Sequence, residues 1–65
     1  MTAGQVGALL LAVELAGRPV RARMLAAALR LPPAEVRTAL YRLQQGGIVH
    51  SDGRRWSPTT IERGN

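Results

Sequence analysis

Residues 33–56, PAEVRTALYRLQQGGIVHSDGRRW, constrain the fold more than any other part of the chain. The segment opens on a proline, which is preorganised for the first helical position. Val36, Leu40 and Leu43 follow at i, i+4 and i+7 spacing with Ala39 beside them, which marks the buried stripe of a helix over 33–45. Gly46-Gly47 can take the left-handed conformation that stops a helix. Residues 48–51 then read as a strand, Asp52-Gly53 as a type I′ turn and residues 54–57 as the return strand. With Asp52-Gly53 as a two-residue loop, Ser51 faces Arg54, His50 faces Arg55 and Val49 faces Trp56. Pro58 has no N–H for the ladder and is expected to end the pairing.

Two shorter helices are expected upstream. Thr2-Ala-Gly-Gln5 fits a capping box, with Thr2 at the N-cap and Gln5 reaching back. The helix it starts should run to about Ala16 and stop at Gly17. At about 100° per residue, Val6, Leu9, Leu10 and Val13 share one face and should be core. Leu11 and Leu15 fall on the opposite side with Ala8 and Ala12 beside them, so this helix is apolar on both sides. That second face is either a dimer or partner surface, or is covered by another helix or the C-terminal tail. Arg18-Pro19-Val20 reads as an extended link, because proline biases the residue before it away from helix. A second helix is expected over 21–30, with Val20, Met24, Leu25, Ala28 and Leu29 supplying its buried side and Arg21, Arg23 and Arg30 in water. Leu31 and Pro32 make the turn. Residues 1–58 are expected to form one domain and residues 59–65 a polar tail.

A domain of 65 residues buries only roughly 60% of the surface of its unfolded chain, so its stability margin is thin and a partner subunit would help. Without cysteine there is no disulfide or thiolate-metal site to compensate. No apolar run approaches the roughly 18 residues of a membrane span, and the start lacks signal-peptide features. These readings point to a cytoplasmic protein with no membrane partner. The formal net charge is +5, and all nine basic residues are arginine. A basic excess suits a polyanionic partner, and guanidinium binds phosphate and guanine edges bidentately where ammonium cannot. A GC-rich genome also favours arginine over lysine, but it does not account for where the arginines fall. Arg37, Thr38, Tyr41, Arg42 and Gln45 lie with Ala34 opposite the apolar stripe of the third helix, and Arg54 and Arg55 lie at the hairpin tip.

Catalysis has little support. His50, Ser51 and Asp52 are contiguous on one hairpin and cannot build a nucleophile–base–orienter geometry around a substrate. Gly46-Gly47 lacks the Lys-Ser/Thr of a phosphate loop. His50 alone is a poor metal ligand set. No cofactor and no small-molecule substrate are expected.

Three short helices followed by a basic hairpin resemble the winged helix-turn-helix family over about residues 3–58. The resemblance is carried by Leu25-Ala-Ala-Ala-Leu-Arg-Leu31, Pro33-Ala-Glu-Val36, Ala39-Leu-Tyr-Arg-Leu43, Gly47-Ile-Val49 and Asp52-Gly-Arg-Arg-Trp56. It implies a small, mainly α (α+β) domain of three helices with a C-terminal two-stranded β-hairpin wing. It also implies double-stranded DNA as the partner, in a transcriptional or architectural, nucleoid-associated role. The third helix would enter the major groove through Arg37, Thr38, Tyr41, Arg42 and Gln45. Arg54 and Arg55 would hold the backbone or minor groove, and Arg21, Arg23, Ala34 and Trp56 are further candidates. The chain departs from the family pattern in one place, because Arg30-Leu31 stands in a turn that commonly carries glycine. Glu35-Val-Arg-Thr-Ala-Leu-Tyr-Arg-Leu43 also resembles, more weakly, the third helix of the Zα winged helices that bind left-handed nucleic acid. There Tyr41 and Trp56 would stack on the ligand, although Arg37 stands where that family has asparagine and no prolines precede the tryptophan. Read from the residues alone, Trp56 either packs the hairpin onto the helices or touches a ligand. The first helix offers Ala8, Leu11, Ala12 and Leu15 as a homodimer face. In the alternative reading that face docks another protein, and the chain is an interaction module in a larger assembly.

Overall fold

The computed structural model describes residues 1–59. The elements run α1 (Ala3–Ala16), β1 (Val20–Arg21), α2 (Ala22–Leu29), α3 (Pro33–Gln45), β2 (Val49–Asp52) and β3 (Arg55–Pro58). The strands form one antiparallel sheet in the order β1-β3-β2, which makes a small α+β domain. Among the described residues no helix is long and apolar enough to cross a membrane.

Local chemistry sets the ends of the helices. The Thr2 Oγ1 accepts from the Gln5 N–H at 3.1 Å while the Gln5 Oε1 accepts from the Thr2 N–H at 2.8 Å, so the capping box is present. Helix α3 ends on Gly47 at φ 76, with the Gly47 and Ile48 N–H groups donating to the Gln44 and Leu43 carbonyls, each at 2.9 Å. Helix α2 ends in the same double bond. The Arg30 N–H donates to Ala27 O at 3.3 Å and the Leu31 N–H to Ala26 O at 2.9 Å, with Arg30 itself left-handed at φ 57. Glycine usually serves this position. The turn between α2 and α3 therefore closes without glycine because an arginine accepts the strain.

Leu9 and Val13 of α1, Val36, Ala39 and Leu40 of α3, Leu25 and Ala26 of α2, and Val49 and Trp56 of the hairpin bury one core, with Val20 and Ala22 at its edge. Leu10, Leu29 and Leu43 are half-buried against it. Trp56, 4% exposed, is the one aromatic ring inside and pins the hairpin to the helices.

Several expectations change. The sheet has three strands instead of two, because the link after α1 supplies β1 and Val20 becomes the Cα partner of Trp56. That strand leads directly into α2 and sets its phase. The buried positions are then Ala22, Leu25 and Ala26, with Leu29 half-buried, while Met24 is 56% exposed and Ala28 is exposed. Arg21 and Arg30 flank α2 and are not part of it. The hairpin loop is Gly53-Arg54, one residue later than expected. Gly53 has φ 69 and Arg54 is not among the positive-φ residues. This suits a type II′ turn, which needs positive φ only at its first central position. Asp52 consequently joins β2 and faces Arg55, Ser51 faces Trp56, His50 faces Ser57 and Val49 faces Pro58. Pro58 does not end the pairing, since the Thr59 N–H still donates to Ile48 O at 3.0 Å. Its own pair with Val49 is a non-hydrogen-bonded one, where a missing N–H costs nothing.

On α1 the outward face narrows to Ala8, Leu11 and Leu15. Ala12 lies one turn from Leu9 and is half-buried against the core. Leu11 is 53% and Leu15 75% exposed. Neither α2 nor α3 covers them, and the tail residues 60–65 lie outside the described residues.

Candidate nucleic-acid interface

The apolar stripe of α3 is committed to the core, so its other residues face outward. Ala34, Arg37, Thr38, Tyr41, Arg42 and Gln45 are all exposed. All but Gln45 divide between two hollows on either flank of the helix. On the hairpin side a hollow of about 360 Å³ is lined by Arg21 at the end of β1, Arg23 from the first turn of α2, Arg37 and Tyr41 from α3, and Ser51, Arg54 and Trp56 from the hairpin. Four arginines thus line one hollow with two aromatic residues. Tyr41 stands edge-on to Trp56, with ring centroids 5.3 Å apart and planes at 78°, a favoured aromatic geometry. Tyr41 remains 55% exposed. Trp56 lines the hollow from a buried position, so it holds Tyr41 in place and offers little of its own surface.

On the α1 side a second hollow, of about 340 Å³, is lined by Ala34, Glu35, Thr38 and Arg42, with Met1 and Val6 of the N-terminal region. It suits an anion less well, for two reasons. Glu35 offsets part of the Arg42 charge, and Arg42 already sits in the last turn of α3, where a cation complements the helix dipole. The Thr38 hydroxyl donates to Ala34 O at 3.0 Å. A phosphate oxygen only accepts, so Thr38 would have to release that bond to reach one, whereas it can still accept from a base amino group. Gln45 lies at the C-terminal end of α3, outside both hollows.

Arg54 and Arg55, expected together at the hairpin tip, line different hollows. Arg54 is in the turn and lines the Tyr41 hollow. Arg55 is on β3 beside the inward Trp56, and successive strand residues point to opposite faces. It joins Arg21 and Arg18 in a separate hollow of about 280 Å³. Arg18 was not singled out from the sequence. Its only signal was its place beside Pro19, in a link that becomes a strand. The outer sheet face also carries His50, whose Nδ1 lies 3.5 Å from Ser57 Oγ. Among the described residues no group of three or more His, Cys, Asp or Glu could hold a metal ion.

Comparison of the chain with protein-family models, curated proteins and solved structures returns no match.

Proposed function

We propose that the protein binds duplex DNA as a small winged helix-turn-helix module, in a regulatory or architectural role at the nucleoid. The observation that carries this reading is the convergence of Arg21, Arg23, Arg37 and Arg54 around Tyr41, on the open side of α3. A helix about 10–12 Å across fits the major groove, which is about 12 Å wide. Arg37, Arg42 and Gln45 carry the donors that read guanine and adenine edges, and Arg54 on the hairpin reaches the backbone or a narrow minor groove. Selection from a pool of randomised duplexes at low salt tests the reading. Retention of duplex, with enrichment that Arg37→Gln alters, supports it. A pool that is never retained contradicts it.

The outer face of α1 favours two copies acting together. Glu14 is the only charged side chain in that helix, whereas the rest of the described chain carries eight arginines. Two such basic molecules therefore repel least through α1, and Leu11 and Leu15 are exposed there. A pair would present two α3 helices to half-sites about one helical turn apart. A second reading, preference for a left-handed duplex, is favoured by the Tyr41–Trp56 edge contact alone. Circular dichroism of an alternating GC duplex separates the two, because inversion of its spectrum on adding protein marks left-handed binding.

A further inference from the structure

Arg21 and Arg55 are Cα partners across β1 and β3, on the outer face of the sheet opposite Val20 and Trp56. Directly opposed side chains in an antiparallel pair have Cβ atoms about 4.5–5.5 Å apart, and like charges so placed are destabilising. Arg18 lines the same hollow, together with Pro19, Val20 and the half-exposed Met24, and no carboxylate lines it. The acid nearest in register is Asp52, the Cα partner of Arg55 on the far side of β3. Glu14 shares a separate hollow with Arg18, so two acids stand near the three arginines, and neither lines the hollow where the three meet. Arg21 is also the N-cap of α2, whose first turn contains no acid, and a cation near a helix N-terminus is unfavourable. Both effects oppose gathering three arginines here, in a domain too small to have much stability to spare. An oxyanion reverses each of these effects, since forked guanidinium donors match a phosphate bidentately.

We propose that Arg18, Arg21 and Arg55 form a second phosphate site, which holds the sugar–phosphate backbone of the duplex beside the α3 site. This rests on the duplex reading of α3. Arg21 lines both hollows, so one duplex can run continuously across them. The site fixes the position of the protein on the duplex without reading sequence, as backbone contacts do. It separates Arg55 from Arg54 in role, and it adds Arg18, which belongs to neither α3 nor the hairpin.

The test compares Arg18→Gln/Arg55→Gln with the wild type by fluorescence anisotropy on one mixed-sequence duplex across a salt series. Arg21 is left in place because it also lines the Tyr41 hollow. Each lost phosphate contact makes the log–log salt slope shallower by about 0.9, so the double variant should lose about 1.8. Between about 50 and 200 mM salt the wild type should then weaken about 12-fold more than the variant. Arg18→Gln alone, in the link, should change the slope by about half as much. The sequence preference of the double variant should match the wild type. If the wild type binds and the double variant keeps its slope, the second site is refuted and the α3 reading stands. If the wild type binds no duplex, both are refuted. Arg21→Gln supplies an independent readout. Relief of the repulsion should raise its Tm by about 1–8 °C while weakening duplex binding, and a fall in Tm would overturn the claim that the cluster is held against repulsion.

Discussion

Helices α2 and α3 end in the same pair of hydrogen bonds but place different residues at the left-handed position, Arg30 at φ 57 and Gly47 at φ 76. This sets up two opposite substitutions. A residue with a Cβ pays about 1–2 kcal/mol to sit in that region. Glycine avoids this but loses about 0.5–1 kcal/mol more conformational freedom on folding. Arg30 is exposed, so Arg30→Gly removes little packing and should stabilise the domain by about 0.5 kcal/mol. A domain of this size gains about 4–8 °C per kcal/mol, so Tm should rise by about 2–4 °C. Gly47→Ala should do the reverse by a similar amount. No atom lies within 4 Å of the added Cβ, so the whole effect comes from the backbone. Thermal melts followed by far-UV circular dichroism read both changes, and the double variant should return close to the wild type. A fall in Tm for Arg30→Gly, or a rise for Gly47→Ala, would show that the left-handed backbone does not set these costs.

Trp56 and Tyr41 touch each other but should respond differently to truncation. Trp56→Ala empties the core and should cost about 3–5 kcal/mol, against a total of about 3–10 kcal/mol for a chain of this length, so the variant should be largely unfolded by circular dichroism. Tyr41→Ala should cost about 0.5–1.5 kcal/mol and stay folded while losing duplex affinity in an anisotropy titration; retained affinity would remove Tyr41 from the interface. Leu11→Glu/Leu15→Glu should leave Tm close to the wild type, since both side chains are exposed, and should convert a dimer to a monomer in sedimentation on DNA. A wild type that stays monomeric on DNA contradicts the α1 pairing, and specific capture of a different protein through α1 would favour an interaction module.

Much of the fold could be read locally. The Thr2–Gln5 capping box, the stop at Gly17 and the bounds of α3 each depend on residues within one or two turns of each other, and the structure reproduces them. Strand β1 could not be read that way, because Val20–Arg21 becomes a strand only through Trp56 and Arg55 far along the chain. The phase of α2 depends on that strand, which is why Met24 and Ala28 were placed inside and Ala22 and Ala26 were missed. The hairpin turn failed for a different reason. Asp52-Gly53 and Gly53-Arg54 both put Gly53 in the loop, and local propensity favours Asp-Gly as a type I′ turn, whereas the strand register selects Gly53-Arg54. The outward face of α3 was legible from its angular pattern. The hollow beside it was not, because Arg21 arrives from β1 and Arg23 from α2, and Arg54 parts from Arg55 only once the register is known.

Binding of a phosphate backbone by the arginines around α3 and the hairpin can be measured directly. The most direct measurement is duplex affinity across a salt series, for the wild type and for a variant with Arg37, Arg42, Arg54 and Arg55 all changed to alanine. Each phosphate these arginines neutralise adds about −0.9 to the log–log slope, so two to four contacts should weaken wild-type binding by about 12- to 150-fold between about 50 and 200 mM salt. The variant should bind more weakly at low salt, with a clearly shallower slope. Wild-type affinity that does not change with salt, or a variant that binds as tightly as the wild type, would contradict the account.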